Sequence, residues 1–94
     1  MNSKSVYKIP KGKLLKISLD YNENNKTINN VIITGDFFAY PEEAVEVLEK
    51  NLVNIKIEEE SLLNEIKTVI KKNKYRFIGL NPEGLTKAIL MCLK

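Results

Sequence analysis

Three lysines, Lys8, Lys11 and Lys13, crowd around Gly12 early in the chain. Ammonium groups on a short turn are point charges suited to phosphate or carboxylate. The spacing is not that of a nucleotide-binding phosphate loop. Such a loop needs a glycine where Tyr7 stands and a Ser or Thr where Leu14 stands, and it opens a helix. A second group, Gly35-Asp36-Phe37-Phe38, sets two adjacent aromatics just past an extended stretch. Neighbouring side chains there cannot both point one way, so one fills the core while the other closes a rim or meets a partner. Asp36 is placed to satisfy nearby backbone N–H groups.

Other reactive residues read as structural. Cys92 lies on an apolar helical stripe with no base near it in sequence, which predicts a buried, inert thiol. Of seven glutamates between positions 42 and 60, four (Glu42, Glu43, Glu46 and Glu49) spread over a helix surface, and no His or Asp joins them. They predict a solvated or partner-facing acidic surface rather than a metal site. No nucleophile, base and orienting group assemble, so no catalytic residue and no metal ligand is expected within this chain.

Composition narrows the class further. The 94 residues carry 15 Lys and Arg against 12 Asp and Glu, a net charge of +3, with no His, no Trp and one Cys. Disulfide scaffolds, Cys/His zinc sites and histidine acid–base chemistry are thereby excluded. The length suits one domain with a thin core. No apolar run could span a bilayer, and no secretory stretch follows Met1–Ser5, so a cytoplasmic protein without membrane contact is expected. Residues 1–40 carry +3, residues 41–60 carry −5 and residues 61–94 carry +5. An acidic helix thus interrupts the basic surface that a nucleic-acid binder keeps continuous, which disfavours nucleic acid as a partner.

The elements that position these groups follow from periodicity. Residues 7–10 read as an extended lead-in, because Pro10 biases Ile9 to the β region, and Gly12 allows a tight turn. Leu15, Ile17, Leu19 and Tyr21 alternate with polar residues, which predicts a strand over 13–21. Asn22 to Asn25 form a turn, and residues 27–34 return as a second strand, with Asn29-Asn30 marking either a bulge or a late strand start. Pro41 fits the first position of a helix with Glu42 and Glu43 in its first turn, and Ala44, Val45, Leu48 and Leu52 form the apolar stripe. A second helix is predicted over 59–72, a short strand over 75–78, and a last helix capped by Asn81 with Pro82 at its first position. The predicted fold is α+β: a small, mainly antiparallel three-stranded sheet with helices on one face, in the order β-β-α-α-β-α.

Taken in order, Lys8-x-Pro10-x-Gly12-Lys13-Leu14, Ile33-Thr34-Gly35-Asp36-Phe37-Phe38 and Pro41-Glu42-Glu43 resemble the C-terminal accessory domain of lipoate–protein ligases. Ile78-Gly79-Leu80 and the helix after it are also similar to that domain, so the resemblance runs from about Tyr7 to Leu93. It implies one accessory domain over residues 1–94, with an ordered core over about 7–93. In this family the large domain holds lipoate, ATP and Mg2+ and makes lipoyl-adenylate, then passes the lipoyl group to an acceptor-protein lysine. Some archaea encode the accessory domain separately. The resemblance therefore implies a non-catalytic subunit that docks on a catalytic large subunit, forms a heterodimer with it, and is required for lipoate activation. Indirect partners would be lipoyl-domain acceptor proteins. Carried onto this sequence, Lys13, Lys8 and Gly12 become candidates for completing the site, and Asp36, Phe37, Phe38 and Tyr40 for packing or the interface. The family often has Gly-Gly where Lys11-Gly12 stands and His where Tyr40 stands. The alternative is a small nucleic-acid-binding or general protein-interaction module with no ligase role.

Overall fold

The computed structural model describes residues 1–93. Two strands, β2 (Leu14–Asn22) and β3 (Thr27–Gly35), form the expected antiparallel hairpin. Leu15, Ile17, Leu19 and Tyr21 all face inward and are buried. Register shifts between Asp20 and Tyr21, leaving Asn29 without an opposite residue. This bulge changes the phase of β3, so Ile28 and Val31, three positions apart, both reach the core. In the turn Asn22 Oδ1 accepts the N–H groups of Asn24 and Asn25, while Lys26 rather than an Asn takes the left-handed angle, with φ 55°.

The third strand of this sheet is β1 (Asn2–Lys8), which pairs along the other edge of β2. The sequence suggested only a lead-in over residues 7–10, and the inward residues Ser3, Ser5 and Tyr7 of β1 are not aliphatic. The reason lies in the helix beneath: Ser5 Oγ donates to the Ala88 carbonyl at 2.7 Å, so a small polar side chain suits that place. The expected three-stranded antiparallel sheet is thus present, ordered β1-β2-β3. The strand expected near 75–78 pairs elsewhere. As β5 (Arg76–Ile78) it forms a separate two-stranded ribbon with β4 (Phe38–Tyr40).

Three helices follow the expected order. Helix α1 (Ala44–Leu52) begins later than the sequence indicated. Pro41 lies in the preceding turn, after a cis Tyr40–Pro41 peptide, and its carbonyl accepts the Ala44 N–H at 3.0 Å. Glu43 is the residue before the helix, and Glu46 supplies the acid of the first turn. Helix α2 (Glu59–Asn73) ends on Lys74 in the left-handed region, and α3 (Pro82–Leu90) starts on the Asn81 cap, whose Oδ1 accepts the Gly84 N–H at 2.6 Å. Helix α1 rests on β3, α3 rests on β1 and β2, and α2 packs across both helices. Leu48, Leu52, Leu62, Ile66, Leu85 and Ile89 close over Leu15, Ile17, Leu19 and Ile28. Cys92 is buried just past α3, its thiol directed to the Ala88 carbonyl. Among the described residues no helix is long and apolar enough to cross a membrane.

Candidate functional site

The basic turn is tight because its backbone bonds to itself. Gly12 N–H donates to the Ile9 carbonyl at 2.8 Å, and Ile9 N–H donates to the Lys13 carbonyl at 3.1 Å. The left-handed residue of the turn is Lys11, with φ 60°, rather than Gly12. Gly12 is needed for closeness instead. A Cβ there would lie 2.8 Å from Ile9 Cγ2 and 3.0 Å from the Gly79 carbonyl oxygen. Buried Ile9 anchors the turn in the core, leaving Lys11 and Lys13 in solvent. Lys8 Nζ folds back onto the Ile9 carbonyl at 3.0 Å.

The fold brings this turn to the second motif. Gly35 pairs with Leu15, and a Cβ on Gly35 would lie 2.2 Å from the Leu14 carbonyl oxygen. Asp36 N–H donates to that same oxygen at 3.0 Å. The chain therefore leaves β3 directly beside the residue that follows Lys13. Lys13 N–H in turn donates to the Gly79 carbonyl at 2.9 Å. Three segments distant in sequence, 9–13, 35–38 and 78–80, thus form one junction.

At this junction the two phenylalanines separate as expected. Phe37 is half-buried, packs on the core, and meets Phe77 with ring centroids 6.2 Å apart. Phe38 points outward and is 60 % exposed. In the ribbon Phe38 lies opposite Ile78, and Tyr40 opposite Arg76. Alternation puts all four on one face, with Phe37, Ala39 and Phe77 beneath. Tyr40 is 53 % exposed and Ile78 44 %. Beside them lies an open hollow of about 590 Å³, lined in part by Phe38, Tyr40, Pro41 and Val45. Phe38, Tyr40 and Ile78 thus form one exposed apolar group on the ribbon. Asp36 is exposed at the corner, and its carboxylate takes no hydrogen bond among the described residues, contrary to the local capping expected of it.

The face contains two residues the sequence reading did not name as candidates, Arg76 and Ile78. Their period-two spacing around Phe77 was the available clue, but only the pairing with β4 decides which of the three points outward. Electrostatics leave the lysines available. The ion pairs among the described residues join the Met1 ammonium to Asp20 and Lys67 to Glu83, so Lys8, Lys11 and Lys13 hold no carboxylate. Among the same residues no group of three His, Cys, Asp or Glu side chains converges on a point that could hold a metal.

Among the described residues the junction thus groups exposed lysines with an exposed apolar face. A family model described as "Bacterial lipoate protein ligase C-terminus" matches residues 5–89. The fold is similar to a solved structure from an archaeal lipoylation system, a bi-partite lipoate protein ligase and its E2 lipoyl domain from Thermoplasma acidophilum. Identity there is 27 %, covering 95 % of this chain and 94 % of that one, with a TM-score of 0.80. No curated protein matches the sequence significantly. With the family model spanning both lysine turn and aromatic segment, the chain belongs to the family of the lipoate protein ligase C-terminal domain.

Proposed function

We propose that this chain is the non-catalytic accessory subunit of a two-part lipoate protein ligase, acting in the cytoplasm. It seats on a catalytic subunit through the Phe38, Tyr40 and Ile78 face and completes that subunit's site with Lys13, and secondarily Lys8, while lipoate is activated. The observation that carries the reading is the junction itself. It sets an ammonium free of carboxylate partners beside an exposed apolar face, in a domain of ligase lineage. The relative from a bi-partite archaeal ligase supports a heterodimer.

In this reading lipoate, ATP and Mg2+ are held by the catalytic subunit. Activation joins the lipoate carboxylate to the α-phosphorus of ATP and breaks the bond to pyrophosphate. The acyl-adenylate then gives its lipoyl group to a lysine of an acceptor protein, forming an amide as the acyl–phosphate bond breaks and AMP leaves. Negative charge gathers on the departing pyrophosphate, and a prepositioned ammonium in a site closed to water stabilises that charge more strongly than bulk solvent does. Lys13, and Lys8 on leaving the Ile9 carbonyl, suit the polyphosphate, whereas the metal falls to the partner.

The test is lipoate-dependent ATP–pyrophosphate exchange by the catalytic subunit, with and without this chain. A strong rise on addition is expected, and no rise with a folded, lipoate-binding catalytic subunit refutes the reading. Lys13→Ala is expected to depress adenylation far more than transfer from preformed lipoyl-adenylate. Equal activity in both steps removes Lys13 from its assigned role.

A further inference from the structure

Gly79 stands where the three segments of the junction meet. Its carbonyl accepts the Lys13 N–H at 2.9 Å, and it directly follows Ile78 of the exposed face. Its φ is +90°, which already disfavours a side chain. Space is the sharper restriction. A Cβ on Gly79 would lie 2.4 Å from Lys13 Cγ, 3.1 Å from Lys13 Cβ and 3.5 Å from the Cα of Phe37. The lysine stem therefore lies on bare Gly79 backbone, in the volume a side chain would take. No ion pair among the described residues directs the Lys13 ammonium, so packing of the stem and the backbone bond fix where it starts.

We infer that Gly79 is a positioning residue for Lys13, and that it ties the lysine to the docking face one residue away. A partner seated on Ile78 and Phe38 would thereby fix the backbone on which the Lys13 stem rests. The inference rests on the proposed role of Lys13 in activation. A methyl group at position 79 must push the stem by about 1 Å to reach ordinary contact, and a misplacement of that size costs catalysis on the order of 10²-fold.

The test is a double-substitution cycle on the complex with its catalytic subunit, read in pyrophosphate exchange and in subunit affinity. Gly79→Ala is expected to lower exchange by tenfold or more, to the order of 10²-fold, with affinity retained. On a Lys13→Ala background it should cost nothing further. Equal loss in both backgrounds, wild-type exchange in Gly79→Ala, or a loss explained by weakened affinity overturns the inference while leaving the role of Lys13 intact. Unimpaired exchange in Lys13→Ala removes that role and the inference with it. Because Gly79→Ala also strains the backbone, thermal unfolding of the free chain supplies a second cycle. Lys13→Gly removes both crowding atoms, so Gly79→Ala should lower Tm less on that background than on the wild type. An equal drop in both shows that the stem does not rest on Gly79.

Discussion

Phe37 and Phe38 are adjacent in sequence and opposite in consequence, and replacing each by alanine separates core from interface. Phe38 is 60 % exposed. A phenylalanine side chain can bury roughly 200 Å², so roughly 120 Å² remains for a partner to cover. At about 25 cal/mol per Å² that corresponds to about 3 kcal/mol as a ceiling. Ordering costs on association reduce it, so Phe38→Ala is expected to weaken binding to the catalytic subunit by about 2 kcal/mol, roughly 30-fold in Kd. Its side chain is already mostly in water, so the free chain should change by no more than about 0.5 kcal/mol. Phe37 is half-buried against Phe77 and the core, and Phe37→Ala should cost the free chain about 2–3 kcal/mol. For a domain of this size that lowers Tm by roughly 10–20 °C. Circular dichroism melting of the free chain and calorimetric titration into the catalytic subunit, at a temperature where both variants are folded, measure the two effects. Equal drops in Tm for the two variants, or unchanged affinity for Phe38→Ala, refute the assignment of one ring inward and the other to a partner.

Further expectations concern the frame of the site. Asn81→Ala removes the acceptor for the Gly84 N–H and should cost about 1 kcal/mol, read as a Tm lower by about 4–8 °C. Glu49 Oε2 accepts the Ile33 N–H at 2.7 Å on the open edge of β3, so Glu49→Ala should cost about 1.5–3 kcal/mol in denaturant titration. The Glu49→Gln variant should keep part of that bond. Gly35→Ala forces a methyl group against the Leu14 carbonyl, a backbone atom that cannot swing aside, and should destabilise the chain by about 2 kcal/mol or more. Cys92, 1 % exposed, should react with a thiol reagent only as fast as the chain opens, and promptly in denaturant.

Much of the architecture was local and therefore legible. The β2 alternation, the Asn81-Pro82 helix start and the apolar stripes of α1 and α2 depend on residues a few positions apart. Such patterns express backbone period and capping chemistry, which a sequence carries directly. The burial of Cys92 followed likewise from its place on the apolar stripe after Asn81. The lysine turn and the Gly-Asp-Phe-Phe segment were legible as groups worth attention, and their order pointed to the ligase family.

What each group does with the others was decided by long-range pairing. Ser5 on the inner face of β1 is explained by the closeness of Ala88, 83 residues away. The outward placement of Ile78 and Arg76 depends on the register with Phe38 and Tyr40. Gly12 is required by the approach of Ile9 and Gly79 rather than by its own backbone angle, and Lys13 acquires its seat only when the strand end at Gly79 arrives beneath it. Composition and periodicity determine which face of each segment is buried. Which segments then touch is set by the packing of all of them at once, and the tertiary structure alone decides it.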